Sequence, residues 1–135
     1  MQTSTVHTNI WAQILAYRFV TEVDFNQHIK GLQEIYRGKY KRMADALKAN
    51  LPDFVQLSQP QGGLFIWATI PEKFDMNKFC VEAVKRKVAV VPGNAFNADE
   101  NEVSHSFRLN FSTPTNEQID KGCEILGKCA KELLV

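Results

Sequence analysis

The sequence predicts an α/β fold. It is a two-layer domain in which a small mixed, mostly antiparallel sheet of about four short strands is covered by helices and preceded by a long connecting helix, in the order ααββαββα. Three observations lead there. Phe25, Ile29, Leu32, Tyr36, Met43 and Leu47 recur at helical spacing over about seven turns. An almost wholly apolar stretch, residues 64–70, and an apolar–polar alternation, residues 107–111, read as short strands. Capping residues Asp24, Asp75 and Thr115 each precede a helical pattern.

A first helix is expected over residues 9–21, with the apolar stripe Trp11, Ile14, Leu15 and Phe19. The second starts after Asp24, with Gln27 placed to complete a capping box, and ends at Asn50-Leu51-Pro52. Gly31 and Gly38 weaken it, and Arg37, Lys39, Lys41 and Arg42 form a solvated face. Residues 54–57 make a short strand and Pro60-Gln61-Gly62-Gly63 a turn. Residues 64–70 are almost wholly apolar, so that strand is expected to be covered on both faces. Asp75 caps a third helix, with Met76, Phe79, Cys80 and Ala83 inward, reaching about Arg86. Residues 88–91 form a brief buried strand running into Pro92-Gly93, and residues 97–104 a polar surface loop. Phe107, Leu109 and Phe111 alternate with Arg108 and Asn110, so the first three face a core and the other two face away. Thr115 and Gln118 open the last helix, with Ile119, Gly122, Cys123, Leu126, Ala130 and Leu133 inward.

Composition excludes several classes. At 135 residues the chain is one domain by size, and a net charge of +1 gives no electrostatic case for nucleic acid or an acidic membrane surface. No apolar run approaches the roughly 20 residues that span a bilayer. Residues 1–20 lack a secretory pattern, which points to the cytoplasm. Cys80, Cys123 and Cys129 are odd in number and form no C-x-x-C pair. Buried or half-buried thiols are expected, with Cys123 and Cys129 on different helix faces. His7, His28 and His105 show no metal-ligand spacing.

Arg108 stands out, because a guanidinium on a rigid strand can grip a carboxylate with two prongs. Three segments precede or include it in order: Gln61-Gly62-Gly63-Leu64-Phe65-Ile66-Trp67 with Pro71 behind it, Val88-Ala89-Val90-Val91-Pro92-Gly93-Asn94-Ala95-Phe96, and Phe107-Arg108-Leu109-Asn110-Phe111. Tyr36-Arg37-Gly38-Lys39-Tyr40-Lys41-Arg42 lies upstream on the long helix, after Val6-His7-Thr8-Asn9 and Gln13. Over essentially its whole length the chain resembles the C-terminal small domain of class I/II, fold-type I, pyridoxal-phosphate-dependent aminotransferases. The wording Lys87-Val88-Ala89-Val90-Val91-Pro92-Gly93 is most similar to the aminoadipate and kynurenine aminotransferase branch, or to the related regulator branch.

The resemblance implies that Arg108 clamps the substrate α-carboxylate while Gly63, with Gly62, and the rings of Phe65 and Phe96 bound the substrate. It implies that Thr8 and Asn9 lie near the cofactor phosphate of a neighbouring subunit. It also implies pyridoxal phosphate in the full-length protein, a cytoplasmic homodimer, and transfer of an amino group between an amino acid and a 2-oxo acid.

The family's Schiff-base lysine, phosphate-binding arginine, pyridine-nitrogen aspartate and stacking aromatic have no counterpart here. Lys30, Lys39, Lys41 and Lys48 lie on amphipathic helices in solvated contexts. The expectation is therefore a C-terminal fragment, inactive alone and without covalently bound cofactor. Residues 1–22 are its lead-in, contacting a large domain absent from this chain. The first helix's stripe is then exposed and favours self-association. Two other readings stand beside this one. One is the C-terminal part of an aminotransferase-like transcription regulator that senses pyridoxal phosphate, the only reading that brings in nucleic acid. The other is a freestanding two-layer binding module.

Overall fold

The structure is a computed structural model that describes residues 8–99 and 102–134, so Val6 and His7 of the lead-in lie outside the described residues. Its residues group into two compact units that divide between Ile35 and Tyr36.

The first unit holds helix α1 (Ile10–Glu22) and the start of α2 (Phe25–Asn50). Asn9 is the N-cap of α1, where its Oδ1 accepts from the backbone N–H of Trp11 and Ala12. Asp24 Oδ1 accepts from Gln27 N at 2.9 Å, making the expected cap of α2. No residue of α1 is buried: Trp11 is 72% and Leu15 67% exposed. The apolar surface is wider than the predicted stripe, because Ile10, Tyr17 and Val20 are exposed as well.

The second unit is built on a four-stranded sheet ordered β1-β2-β4-β3, made of β1 (Gln56–Leu57), β2 (Phe65–Thr69), β3 (Val91–Pro92) and β4 (Ser106–Asn110). Every pairing is antiparallel. Cross-strand partners share a face. Ile66 therefore sits with Leu109 and Ala68 with Phe107 on one side, while Trp67 sits with Arg108 and Thr69 with Ser106 on the other. The first side is the core. Ile66, Ala68, Phe107 and Leu109 are buried there with Met43 and Leu47 of α2, Phe79 of α3 (Met76–Lys85), and Ile119 and Leu126 of α4 (Asn116–Leu133). The Phe79 and Phe107 rings meet at 5.1 Å between centroids.

Several expectations are corrected here. β2 is covered on one face, not two: Ile66 and Ala68 are buried, but Phe65, Trp67 and Thr69 are only half-buried. Its second set of apolar side chains is aromatic and surrounds Arg108 instead of entering the core. The third strand is residues 91–92, not 88–91. Along α4 and at its end, Gly122 and Leu133 are half-buried, while Gly127, Cys129 and Leu134 are buried. Gly127 lies where a Cβ would stand 2.6 Å from the Asn50 carbonyl oxygen, so the absence of a side chain lets α4 meet the end of α2. The basic face of α2 is not simply solvated. Lys39 Nζ donates to the Ser112 and Pro114 carbonyls at 2.6 and 2.8 Å, and Arg42 pairs with Asp120.

Helix α3 ends in a Schellman motif. Val88 N donates to Ala83 O and Lys87 N to Val84 O, both at 2.9 Å. Lys87 occupies the left-handed position with φ 69°, where glycine is usual. A side chain there costs on the order of 1 kcal/mol.

Candidate functional site

The half-open face of the sheet carries Arg108. Its neighbours across the ladders are Trp67 on β2 and Val91 on β3. The guanidinium carbon lies 4.0 Å from the centroid of the Phe65 ring and 4.4 Å from that of Phe96. Both distances are within the range of cation–π attraction. Phe65 comes from β2, but Phe96 comes from a 3-10 turn, Gly93–Phe96, that follows β3. Trp67 meets Phe96 edge-on, 5.2 Å between centroids and 76° between planes.

The 3-10 turn is itself anchored. Asn94 Oδ1 accepts from Ser104 N at 2.9 Å. A Cβ on Gly93 would fall 2.7 Å from the Ser106 carbonyl oxygen, so glycine is what allows the turn to lie against the start of β4. Beyond β4, Asn110 Oδ1 accepts from Ser112 N at 2.6 Å and from the Ser112 hydroxyl at 2.7 Å. With Lys39 on the Ser112 and Pro114 carbonyls, the backbone on both sides of Arg108 is held.

Among the described residues, no carboxylate or carbonyl holds Arg108 by an ion pair or hydrogen bond. A planar cation stacked near two rings, with its N–H groups unclaimed by the described residues, has the chemistry to accept an external carboxylate.

The structure thus brings Arg108, Phe65 and Phe96 together, and it adds Trp67, which sequence reasoning treated only as part of a strand. The signal for Trp67 was present in the alternation that also selects Phe65. Gly63 has φ +83°, a conformation that favours glycine, and a Cβ there would meet nothing within 4 Å. Its role within this chain is therefore conformational, not close packing. Gly62 shows neither constraint.

Thr8 and Asn9 lie in the first unit, at the head of α1. Asn9 caps the helix, and the Gln13 side-chain amide donates to the Thr8 carbonyl and hydroxyl. Both side chains are thus engaged with α1, and neither of these observations marks a phosphate seat. The described residues also form no group of three or more His, Cys, Asp or Glu side chains able to hold a metal ion. Among them no helix is long and apolar enough to cross a membrane.

The three thiols are buried and unpaired. Burial pushes Cys80 and Cys123 up to about 11, away from the nucleophilic range. Cys123 and Cys129 lie on different faces of a broad buried surface of α4.

Comparison with known proteins gives a consistent result. The sequence profile of the family described as "Aminotransferase class I and II" matches residues 2–126. The aromatic-amino-acid aminotransferase 1 of Thermococcus litoralis is 37% identical over 125 residues, covering 93% of this chain and 30% of that protein. The crystal structure of LysN, the α-aminoadipate aminotransferase of Thermus thermophilus, superposes with a TM-score of 0.90 at 29% identity, over 98% of this chain and 34% of that one. An uncharacterized HTH-type transcriptional regulator of Escherichia coli, YdcR, is 26% identical over 97% of this chain and 28% of its own length. The chain therefore spans about a third of the length of the relatives it matches.

Proposed function

The chain belongs to the class I and II aminotransferases, in the neighbourhood of the aminoadipate and kynurenine branch, and from that premise we propose that it supplies the substrate-carboxylate grip of an enzyme moving an amino group between an amino acid and a 2-oxo acid. The observation that carries this is Arg108 between Phe65 and Phe96, with no anionic partner among the described residues.

In this reading the substrate α-carboxylate accepts two parallel hydrogen bonds from the guanidinium. The flanking rings fix the plane of that fork before the substrate arrives, so less freedom is lost on binding. Gly63, Phe65 and Phe96 bound the substrate's side. Trp67 supports Phe96. Pyridoxal phosphate, the cofactor implied by the family, supplies the electron sink when bound. Arg108 fits a carboxylate, while Phe65, Phe96 and Trp67 beside it carry no amine that could form a Schiff base with the cofactor aldehyde. The chain alone is accordingly inactive, and the complete protein works as a cytoplasmic homodimer in which Thr8 and Asn9 approach the partner's cofactor phosphate.

Two measurements test this. In the 135-residue chain, adding phenylpyruvate should shift the Arg108 Nε–H resonance, and Arg108→Gln should abolish the response. An unchanged titration in that variant overturns the grip. Adding pyridoxal phosphate followed by borohydride should label no single lysine stoichiometrically. A specific stoichiometric adduct overturns the claim of inactivity.

The similarity to the regulator YdcR favours a second reading, the effector-sensing part of a transcription regulator. A basic winged-helix segment encoded upstream in the same reading frame decides for it.

A further inference from the structure

Phe96 is the least secured member of the cluster around Arg108. It is 47% exposed, so burial in the core does not fix its ring. It is the last residue of a 3-10 turn only four residues long. Among the described residues, the ring and the cation that meet it are Trp67, edge-on at 5.2 Å, and Arg108, at 4.4 Å.

Trp67 is placed in the opposite way. It is the middle residue of β2, which has a strand on each side, and its neighbours Ile66 and Ala68 are buried in the core. Its backbone N–H donates to Ser58 Oγ at 2.9 Å, and its carbonyl accepts from Ser58 N at 2.8 Å. A strand residue sends both of these groups to the same side. Trp67 therefore faces Arg108 across the ladder as a non-hydrogen-bonded pair. In such pairs the Cα atoms are about 4.5 Å apart and the side chains are at their closest. The indole stands on fixed backbone beside Arg108, whereas the Phe96 ring has to be held in place.

We propose that Trp67 is the positioning residue of the carboxylate grip: it holds the Phe96 ring so that the guanidinium of Arg108 keeps one plane before a substrate arrives. This rests on the reading of Arg108 as that grip. Trp67 acts through Phe96 and touches no substrate. An edge-on pair at this distance is a favoured aromatic geometry. Without it Phe96 is free to turn, and the ligand itself must then order Arg108, which weakens binding. The loss falls on the carboxylate fork. It is therefore the same for every 2-oxo acid, whatever its side chain.

The test has two readouts on the isotopically labelled 135-residue chain. One is the order parameter of the Arg108 Nε–H group without ligand. The other is a titration with phenylpyruvate and with pyruvate, followed by the amide resonances of β2 and β4. Trp67→Leu should lower the order parameter and weaken both acids by the same factor, about threefold to tenfold. Trp67→Phe keeps a ring against Phe96 and should recover most of the affinity. In a chain already carrying Phe96→Ala, Trp67→Leu should change neither readout further, because its route is gone. Ile66→Val, beside Trp67 but on the core face, should lower the melting temperature and leave both affinities at the parent value. The proposal is overturned if Trp67→Leu leaves the order parameter unmoved, if Trp67→Phe binds no better than Trp67→Leu, or if the Trp67 and Phe96 effects add. It is also overturned if phenylpyruvate loses clearly more than pyruvate, which would make the indole a substrate contact. Failure of the grip itself looks different: Arg108→Gln then titrates like the parent, and the ligand-free order parameters of the single and double variants still decide for or against Trp67.

Discussion

The ring of Phe96 lies 4.4 Å from the guanidinium carbon of Arg108, although the two residues come from different pieces of backbone, a 3-10 turn and a central strand. The contact therefore depends on how that turn is seated against β4. Replacing Phe96 by alanine should leave the guanidinium with one ring and more freedom. We expect a fall in the side-chain order parameter of the Arg108 Nε–H group and a stability loss of about 1–2 kcal/mol. Phe96→Tyr should preserve both. An order parameter unmoved by the alanine variant would show that Phe65 and the strand alone position the cation.

Gly127 and Gly122 occupy the same helix and should respond in opposite directions to alanine. At Gly122 a Cβ meets nothing within 4 Å, so helix propensity decides and Gly122→Ala should stabilise by up to about 1 kcal/mol. At Gly127 the Cβ would press on the Asn50 carbonyl, and Gly127→Ala should cost about 1–3 kcal/mol despite the same propensity gain. Urea unfolding of the two variants distinguishes them, and equal signs would be incompatible with the packing of α4 on α2.

The thiols set an alkaline limit. Burial pushes the Cys80 and Cys123 thiols from their ordinary value of 9.0 up to about 11, so the folded chain keeps protons that the unfolded chain releases. Their contribution is complete below about pH 9 and is lost as the pH rises toward 11. The expected loss is about 3 kcal/mol per thiol. Cys123→Ala should flatten the slope of stability against pH in that window; an unchanged slope would mean the thiol is not protected.

Self-association should run through α1. Trp11, Leu15, Tyr17 and Val20 are all more than half exposed, which is more apolar surface than a single helix in water usually presents. Light scattering on the 135-residue chain should give a mass above 15.4 kDa that rises with concentration. Trp11→Lys with Leu15→Glu should return it to the monomer value.

Legibility followed the range of the physics. Local signals were readable: Asp75 accepts from Lys78 N, and Thr115 and Gln118 complete a reciprocal capping box. The alternation around Arg108 put Phe107 and Leu109 inward and Arg108 outward, as the ladder has them. What escaped depended on partners distant in sequence. The third strand moved to Val91–Pro92 because pairing, not apolarity, defines a strand, and only those two residues reach Arg108 and Phe107. Where the 3-10 turn that carries Phe96 is seated could not be read, because its partners are Ser104 and Ser106, about ten residues away. Lys39 looked like one more solvated lysine because the carbonyls it caps are 73 and 75 positions off. The missing large-domain motifs, by contrast, were plain at once, since a lysine in the family's sequence context is either in the chain or not.

The sheet ends on each side in a strand of two residues, β1 and β3, and the second of these includes Pro92, which has no N–H to offer. Such borders are poor templates for a further strand. A chain that displays so much bare apolar helix is thereby steered away from growing by strand addition. Its clumping, when it occurs, should be a reversible association of folded molecules rather than the seeding of fibrils.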